Sequence, residues 1–126
     1  MFTLFLRAVG TIQLALGLGY LFLPNLLLQQ MGHTAPAPDL HYPLAMLAAR
    51  FIAYGIGFYY ISRNAQQHAL WVLLMALIQL IDLAAGIFYT AITVVPLQLS
   101  AVPMFNALWI GTCCALWYLR QRRKVV

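Results

Sequence analysis

The sequence predicts an all-α membrane protein, an antiparallel bundle of four transmembrane helices with both termini cytoplasmic. Three observations predict it. Hydrophobic residues make up 64% of the 126 positions and charged residues 7%, against about 25% charged in a soluble domain. The apolar residues fall into four runs, each close to the roughly 20 residues that cross a bilayer as a helix. The basic residues sit at alternate ends of those runs, as topogenic charges do. A chain of this length makes one compact unit, a single transmembrane domain spanning 1–126.

The first predicted helix covers 3–28. Its leading residues carry no cationic stretch ahead of the apolar run and no small-residue cleavage site follows, which reads as a retained helix and not a signal peptide. Gln29 to Pro43 holds Gly32, Pro36, Pro38 and Pro43, residues that break helices and mark a loop. The second helix is expected at 44–62, followed by a short polar turn through Arg63, Asn64, Gln66, Gln67 and His68. The third is expected at 69–93, a tight connection follows around Pro96, and the fourth at 97–119 leads into a basic tail, 120–126. Pro103 is placed to kink the start of that last helix. Helices bathed in lipid are apolar all round, so length and flanking charge carry these assignments, not periodicity.

Arg7, Arg63 and the cluster Arg120, Arg122, Arg123 and Lys124 fall on one side of such a topology. The opposite loops carry Asp39, His33 and His41 and no Lys or Arg. The positive-inside rule makes the first side cytoplasmic, with the basic tail facing anionic lipid. Tyr59, Tyr60, Trp71, Trp117 and Tyr118 belong near the same interface. Nucleic acid is not an expected partner, because the net charge of +5 is concentrated beside a membrane segment and not spread over a soluble face.

Two charges interrupt the apolar runs. At about 1.5 Å per residue, Asp82 lies roughly 20 Å and Arg50 roughly 18 Å below the cytoplasmic side. A charge at such depth costs roughly 2.5–3.5 kcal/mol on the insertion scale, so partners are expected. Segments joined by a six-residue turn are antiparallel neighbours, which would let the two meet. Gln13, Gln79 and Asn106 fall at similar depths, roughly 15–20 Å, and Gln79 precedes Asp82 by one helical turn. Small and polar residues recur at three-and-four spacing in every segment, as in Gly10, Gln13, Gly17 and Tyr20, or Arg50, Tyr54 and Gly57. Membrane helices pack closely through such stripes. The layer has two readings, an ion pair with an amide shell that fixes helix pairing, or the lining of a cavity for a polar or amphipathic ligand. One acid and one base supply a proton wire poorly.

Other polar residues signal less. Adjacent helical positions point about 100° apart, so Cys113 and Cys114 suit neither a disulfide nor a shared metal and read as small buried hydrophobes. His33, Asp39 and His41 could be assembled around a metal, but their spacing matches no zinc or copper pattern and ordinary loop polarity accounts for them. Arg7 is expected to snorkel to the interface. Ser62 and Ser100 have no base beside them in sequence, and no phosphate loop, His-Glu-x-x-His motif or nucleophile elbow occurs. No catalytic residue, cofactor or metal is assigned.

The layout resembles small four-helix bacterial membrane proteins of the DoxX-like type. Leu6-Arg7-Ala8-Val9-Gly10 and Ala49-Arg50-Phe51-Ile52-Ala53-Tyr54-Gly55-Ile56-Gly57 carry the resemblance. It implies a four-helix membrane fold over most of the chain, in a bacterial inner membrane, and transfers no site residue. Two functions are expected from the chain as a whole. One is a non-catalytic accessory or assembly subunit of a larger membrane complex, which associates with other membrane-protein subunits or with itself through broad apolar outer faces. The other is a small carrier or binder working through Arg50, Asp82, Gln13, Gln79 and Asn106, weakened by the lack of an inverted repeat. A membrane enzyme ranks third.

Overall fold

The computed structural model is all-helical, and four of its helices are long and apolar enough to cross a membrane among the described residues. The structure describes residues 1–125 and side chains as far as Arg123; the Lys124 side chain and Val126 of the basic tail lie outside it. The elements are α1 (Phe2–Phe22), α2 (Pro24–Gln30), a 3-10 turn (Pro38–Leu40), α3 (His41–Ile61), α4 (Ala69–Ala91) and α5 (Leu97–Val125). They form two compact units, Met1–Arg63 and Asn64–Val126.

The first unit is a hairpin of α1 against α3. Helix α1 buries Leu6, Val9, Gly10, Gln13 and Gly17, a single face at helical spacing. Helix α3 answers with Ala48, Gly55, Phe58 and Ile61. The backbones come closest where glycine meets glycine. A Cβ at Gly10 would stand 3.0 Å from the Gly55 carbonyl oxygen, and one at Gly55 3.0 Å from that of Gly10. Lipid offers no hydrophobic drive between helices, so close backbone approach through small residues is what holds such a pair.

The expected first helix, 3–28, is corrected to two. Leu23 leaves the helix at φ −135°, ψ 47°, and α2 starts on Pro24. A proline disfavours α geometry in the residue before it and has no N–H to give, so it stops one helix and starts the next. Helix α2 then folds back so that Leu27 covers Gly19. Gly32, at φ 88°, ends it, with its N–H and that of His33 donating to the Gln29 and Leu28 carbonyls at 3.0 and 2.9 Å. Helix α3 begins three residues earlier than 44, because Pro43 sits within the first turn, where a missing N–H costs nothing.

The second unit is a hairpin of α4 against α5. Helix α4 buries Val72, Met75 and Gln79, and α5 buries Ser100, Ala107, Ile110 and Cys114. Gly111 lets α5 ride on Gln79, whose Cβ would stand 3.0 Å from an added methyl, and Gly86 accommodates Met104. Helix α4 ends at Ala91 and not at 93. The β-branched run Ile92-Thr93-Val94-Val95 before Pro96 favours helix poorly, and Thr93 takes φ 61°. The Val94 and Val95 N–H groups both donate to the Tyr89 carbonyl, at 3.1 and 3.2 Å. Helix α5 continues well past 119, through the basic residues, to Val125. Arg, Gln and Lys are good helix formers, no Gly or Pro interrupts them, and cations suit a helix carboxy end. Pro103 lies inside α5, which runs through it.

Candidate functional site

The residues expected to form the polar layer divide between the hairpins. In the first, Gln13 is buried, between Gly10 and Gly17 on the face of α1 that meets α3. Arg50 is exposed. It lies two positions from buried Ala48, which turns it about 200° away from that residue's face. The hairpin does not bring Gln13 and Arg50 together. In the second unit, Gln79 is buried and donates from Nε2 to the Met75 sulfur at 3.2 Å, one turn back. Asp82, one turn on, is exposed. Asn106 is half-buried and its Oδ1 accepts the Trp109 indole N–H at 3.1 Å. Gln13 and Gln79 thus each lie buried within their own hairpin, and Gln79 is bonded within α4.

Gln79 has a further setting. An open groove of about 380 Å³ runs between α4 and α5, lined by Leu73, Ala76, Gln79, Leu80, Ala107 and Gly111 among others. The groove is apolar except at Gln79 and Thr112. Asp82, Asn106 and the cysteines lie outside its lining. Both cysteines are free thiols, and the expectation that both are buried needs correction: Cys114 is buried and Cys113 exposed. The 100° step between adjacent helical residues turns one toward α4 and the other outward.

At the loop end of the first hairpin, His41 Nε2 lies 3.1 Å from Asn25 Oδ1. Tyr20 donates to the Met31 sulfur at 3.8 Å and stacks on Phe51. His33, Asp39 and His41 do not converge, and among the described residues no three His, Cys, Asp or Glu side chains are grouped to hold a metal.

Two polar clusters were not anticipated. Arg7 Nε donates to Ser62 Oγ at 3.2 Å, the Ser62 hydroxyl donates to the Tyr59 carbonyl at 2.8 Å, and the Tyr59 phenol lies 2.6 Å from Thr11 Oγ1. In the other hairpin, the Thr90 hydroxyl lies 2.7 Å from both the Gly86 carbonyl oxygen and Ser100 Oγ. Serines without a base beside them therefore serve as ties between helices. The partners are 55 and 10 residues apart, and a separation of 55 leaves no sequence signal.

Basic residues gather at one end of each hairpin. Arg7 is held at the Ser62 end of α3, next to Arg63, while Asp39 belongs to the other end. In the second unit, Gln66 lies 3.5 Å from Gln121, so Arg120, Arg122 and Arg123 share the end where α4 begins. Arg122 lies over the Tyr118 ring, 5.8 Å from its centre. No family model matches the chain, and no curated protein and no solved structure matches it.

Proposed function

We propose that this chain is a non-catalytic accessory or assembly subunit, which packs against other proteins within a bacterial inner membrane. The observation that carries this reading is a row of small residues on α3 turned away from α1. Ala49 and Ala53 are exposed, and nothing stands within 4 Å of a Cβ placed on Gly57. The spacing of four keeps the three on one helix face. Small residues at this spacing let a neighbouring helix approach closely in lipid. The spans have only 17–28% of their apolar windows buried within the chain, which leaves broad surface for partner helices as well as lipid.

Both termini are assigned to the cytoplasm. The gathering of Arg7 and Arg63 at one end of the first hairpin, and of Arg120, Arg122 and Arg123 at one end of the second, supports that orientation by the positive-inside rule. The tail would then lie against anionic headgroups.

The test is native purification in mild detergent at natural expression level, with mass spectrometry of the co-migrating band. Stoichiometric recovery with a larger membrane complex is expected. Gly57→Leu should abolish it while leaving helix content intact. Recovery of the chain alone would overturn the subunit reading. A second reading then takes precedence, a binder of an amphipathic ligand, favoured by the groove in which buried Gln79 is the deepest-set polar group. In that case Gln79→Leu should remove ligand binding without changing oligomeric state.

A further inference from the structure

We propose that Arg7, held by Ser62 and joined by Arg63, binds the phosphate of an anionic phospholipid at one end of the α1–α3 hairpin. The site is built from the first hairpin alone and the proposal is independent of the subunit reading. It begins with how Arg7 is held. Ser62 is 2% exposed and spends its proton on the Tyr59 carbonyl, at 2.8 Å, which leaves Oγ as an acceptor. Arg7 Nε fills that role at 3.2 Å. The Arg7 carbonyl in turn accepts from Thr11 Oγ1 at 2.9 Å, so Tyr59 is the donor in its 2.6 Å contact with Thr11. Both ends of Arg7 are thus tied to the hairpin.

Fixing Nε fixes the plane of the guanidinium. Its two amino groups, with four N–H donors in a fork, remain, and among the described residues neither has a hydrogen-bond partner. A fork of this kind matches the paired oxygens of a phosphate. The charge is not compensated within the hairpin. The chain has two acidic residues, Asp39 and Asp82. Asp39 precedes α3, and Ser62 follows it, so about 30 Å of helix separates Asp39 from Arg7. Arg63, exposed and next in sequence to Ser62, brings a second guanidinium to the same end. An anion must therefore come from outside this unit.

The surroundings point to lipid as its source. Helix α1 is 21 residues long, about the thickness of the hydrocarbon layer at 1.5 Å per residue. Arg7 sits one to two turns in from its start, where a snorkelling side chain reaches headgroup depth. Leu4, one turn before Arg7 in α1, and Tyr60, near the same end of α3, are 72% and 63% accessible and would lie along acyl chains and interface. A soluble phosphate would gain nothing from those neighbours. A lipid without a cationic headgroup fits two guanidinium groups at one end of the hairpin best.

The experiment uses the full chain in mild detergent, titrated with phosphatidylglycerol and read by native mass spectrometry, with phosphatidylcholine as comparison. One phosphatidylglycerol should be retained per chain. Arg7→Gln should weaken its binding by about tenfold, as loss of a charge-assisted pair does. Ser62→Ala should weaken it less, and Arg7→Lys, which keeps the charge without the fork, should fall between Arg7→Gln and the native chain. Replacing Arg120, Arg122 and Arg123 together by Gln should leave this one lipid bound. Unchanged binding in both Arg7→Lys and Ser62→Ala would overturn the proposal, and reads out even if Arg7→Gln does not fold. Loss of the lipid on tail substitution alone, or its displacement by millimolar inorganic phosphate, would overturn it too, by assigning the anion to the tail or to a soluble phosphate.

Discussion

Gly17 and Gly57 lie in the two helices of one hairpin, yet their surroundings differ. A Cβ on Gly17 would stand 2.7 Å from Ile52 Cγ1, 3.0 Å from the Ile52 nitrogen and 3.1 Å from the Ala48 oxygen. The last two are backbone atoms and cannot turn aside, so α1 must shift away from α3. Gly17→Ala is expected to destabilise the protein by about 1–3 kcal/mol, the usual cost of overpacking, in thermal unfolding in detergent. Gly57→Ala meets nothing within 4 Å. Its effect should stay within about 0.5 kcal/mol, as at an unencumbered surface position. Arg50 and Asp82 call for a different test, because their pairing is an expectation from depth in the sequence. Asp82→Ala should strand a guanidinium in hydrocarbon, at roughly 2.5–3.5 kcal/mol. Joint Arg50→Met and Asp82→Leu substitution should recover much of that loss. Equal instability of the two variants would rule out the pair. At this scale even local pairings escaped the sequence. Gln79 with Met75 and Asn106 with Trp109 are one-turn neighbours. The sequence set Gln79 on a face with Asp82, because spacing alone does not choose between the turn before and the turn after. The tie from Arg7 to Ser62 was not readable, since it depends on which faces α1 and α3 turn to each other.

Elements were legible as spans and less so at their ends. Hydropathy marks where the chain prefers lipid, while a helix end is set by individual backbone groups. Pro24 shows the distinction. The apolar run continues through it, from Phe22 to Leu28, and composition alone extends the helix across the break. The steric demand of the proline on Leu23 ends α1 instead. Pro24→Ala removes that demand and restores an N–H, and α1 should then run on into α2. Spin labels at positions 15 and 29 would report it, their backbone separation lengthening to about 21 Å, the span of fourteen residues in one straight helix. An unchanged distance would mean that Leu27 packing on Gly19 holds the fold-back by itself. The extension of α5 through its basic residues has the opposite cause, a lack of any stop signal beyond the apolar run.

The molecule as a whole is built from two hairpins of 63 residues each, Met1–Arg63 and Asn64–Val126. Within each, the helices are joined by glycine contacts and by hydroxyl ties near an end, Arg7 with Ser62 in the first and Thr90 with Ser100 in the second. Helices that insert independently and then associate need little from a covalent connection between hairpins. Segments 1–63 and 64–126, produced as separate chains in one cell, should therefore each insert. Their circular dichroism in detergent should sum to that of the intact chain. Loss of helix in either segment would show that it depends on the other for its fold.

The sequence by itself determined that the chain is an all-helical membrane protein with four spans, and that its basic residues other than Arg50 gather toward the ends of those spans. Both follow from composition within short windows, because transfer into lipid is decided residue by residue and twenty apolar positions suffice. Tertiary structure decided which residues meet. It buried Gln13 and Gln79 at helix contacts, left Arg50 and Asp82 exposed, set Cys113 and Cys114 in different surroundings, and gave Ser62 to Arg7. Those outcomes depend on the rotation of each helix about its axis. In an apolar segment surrounded by lipid, hydropathy has no preferred face, so the rotation is fixed by glycine contacts and polar ties that form only once the helices are paired.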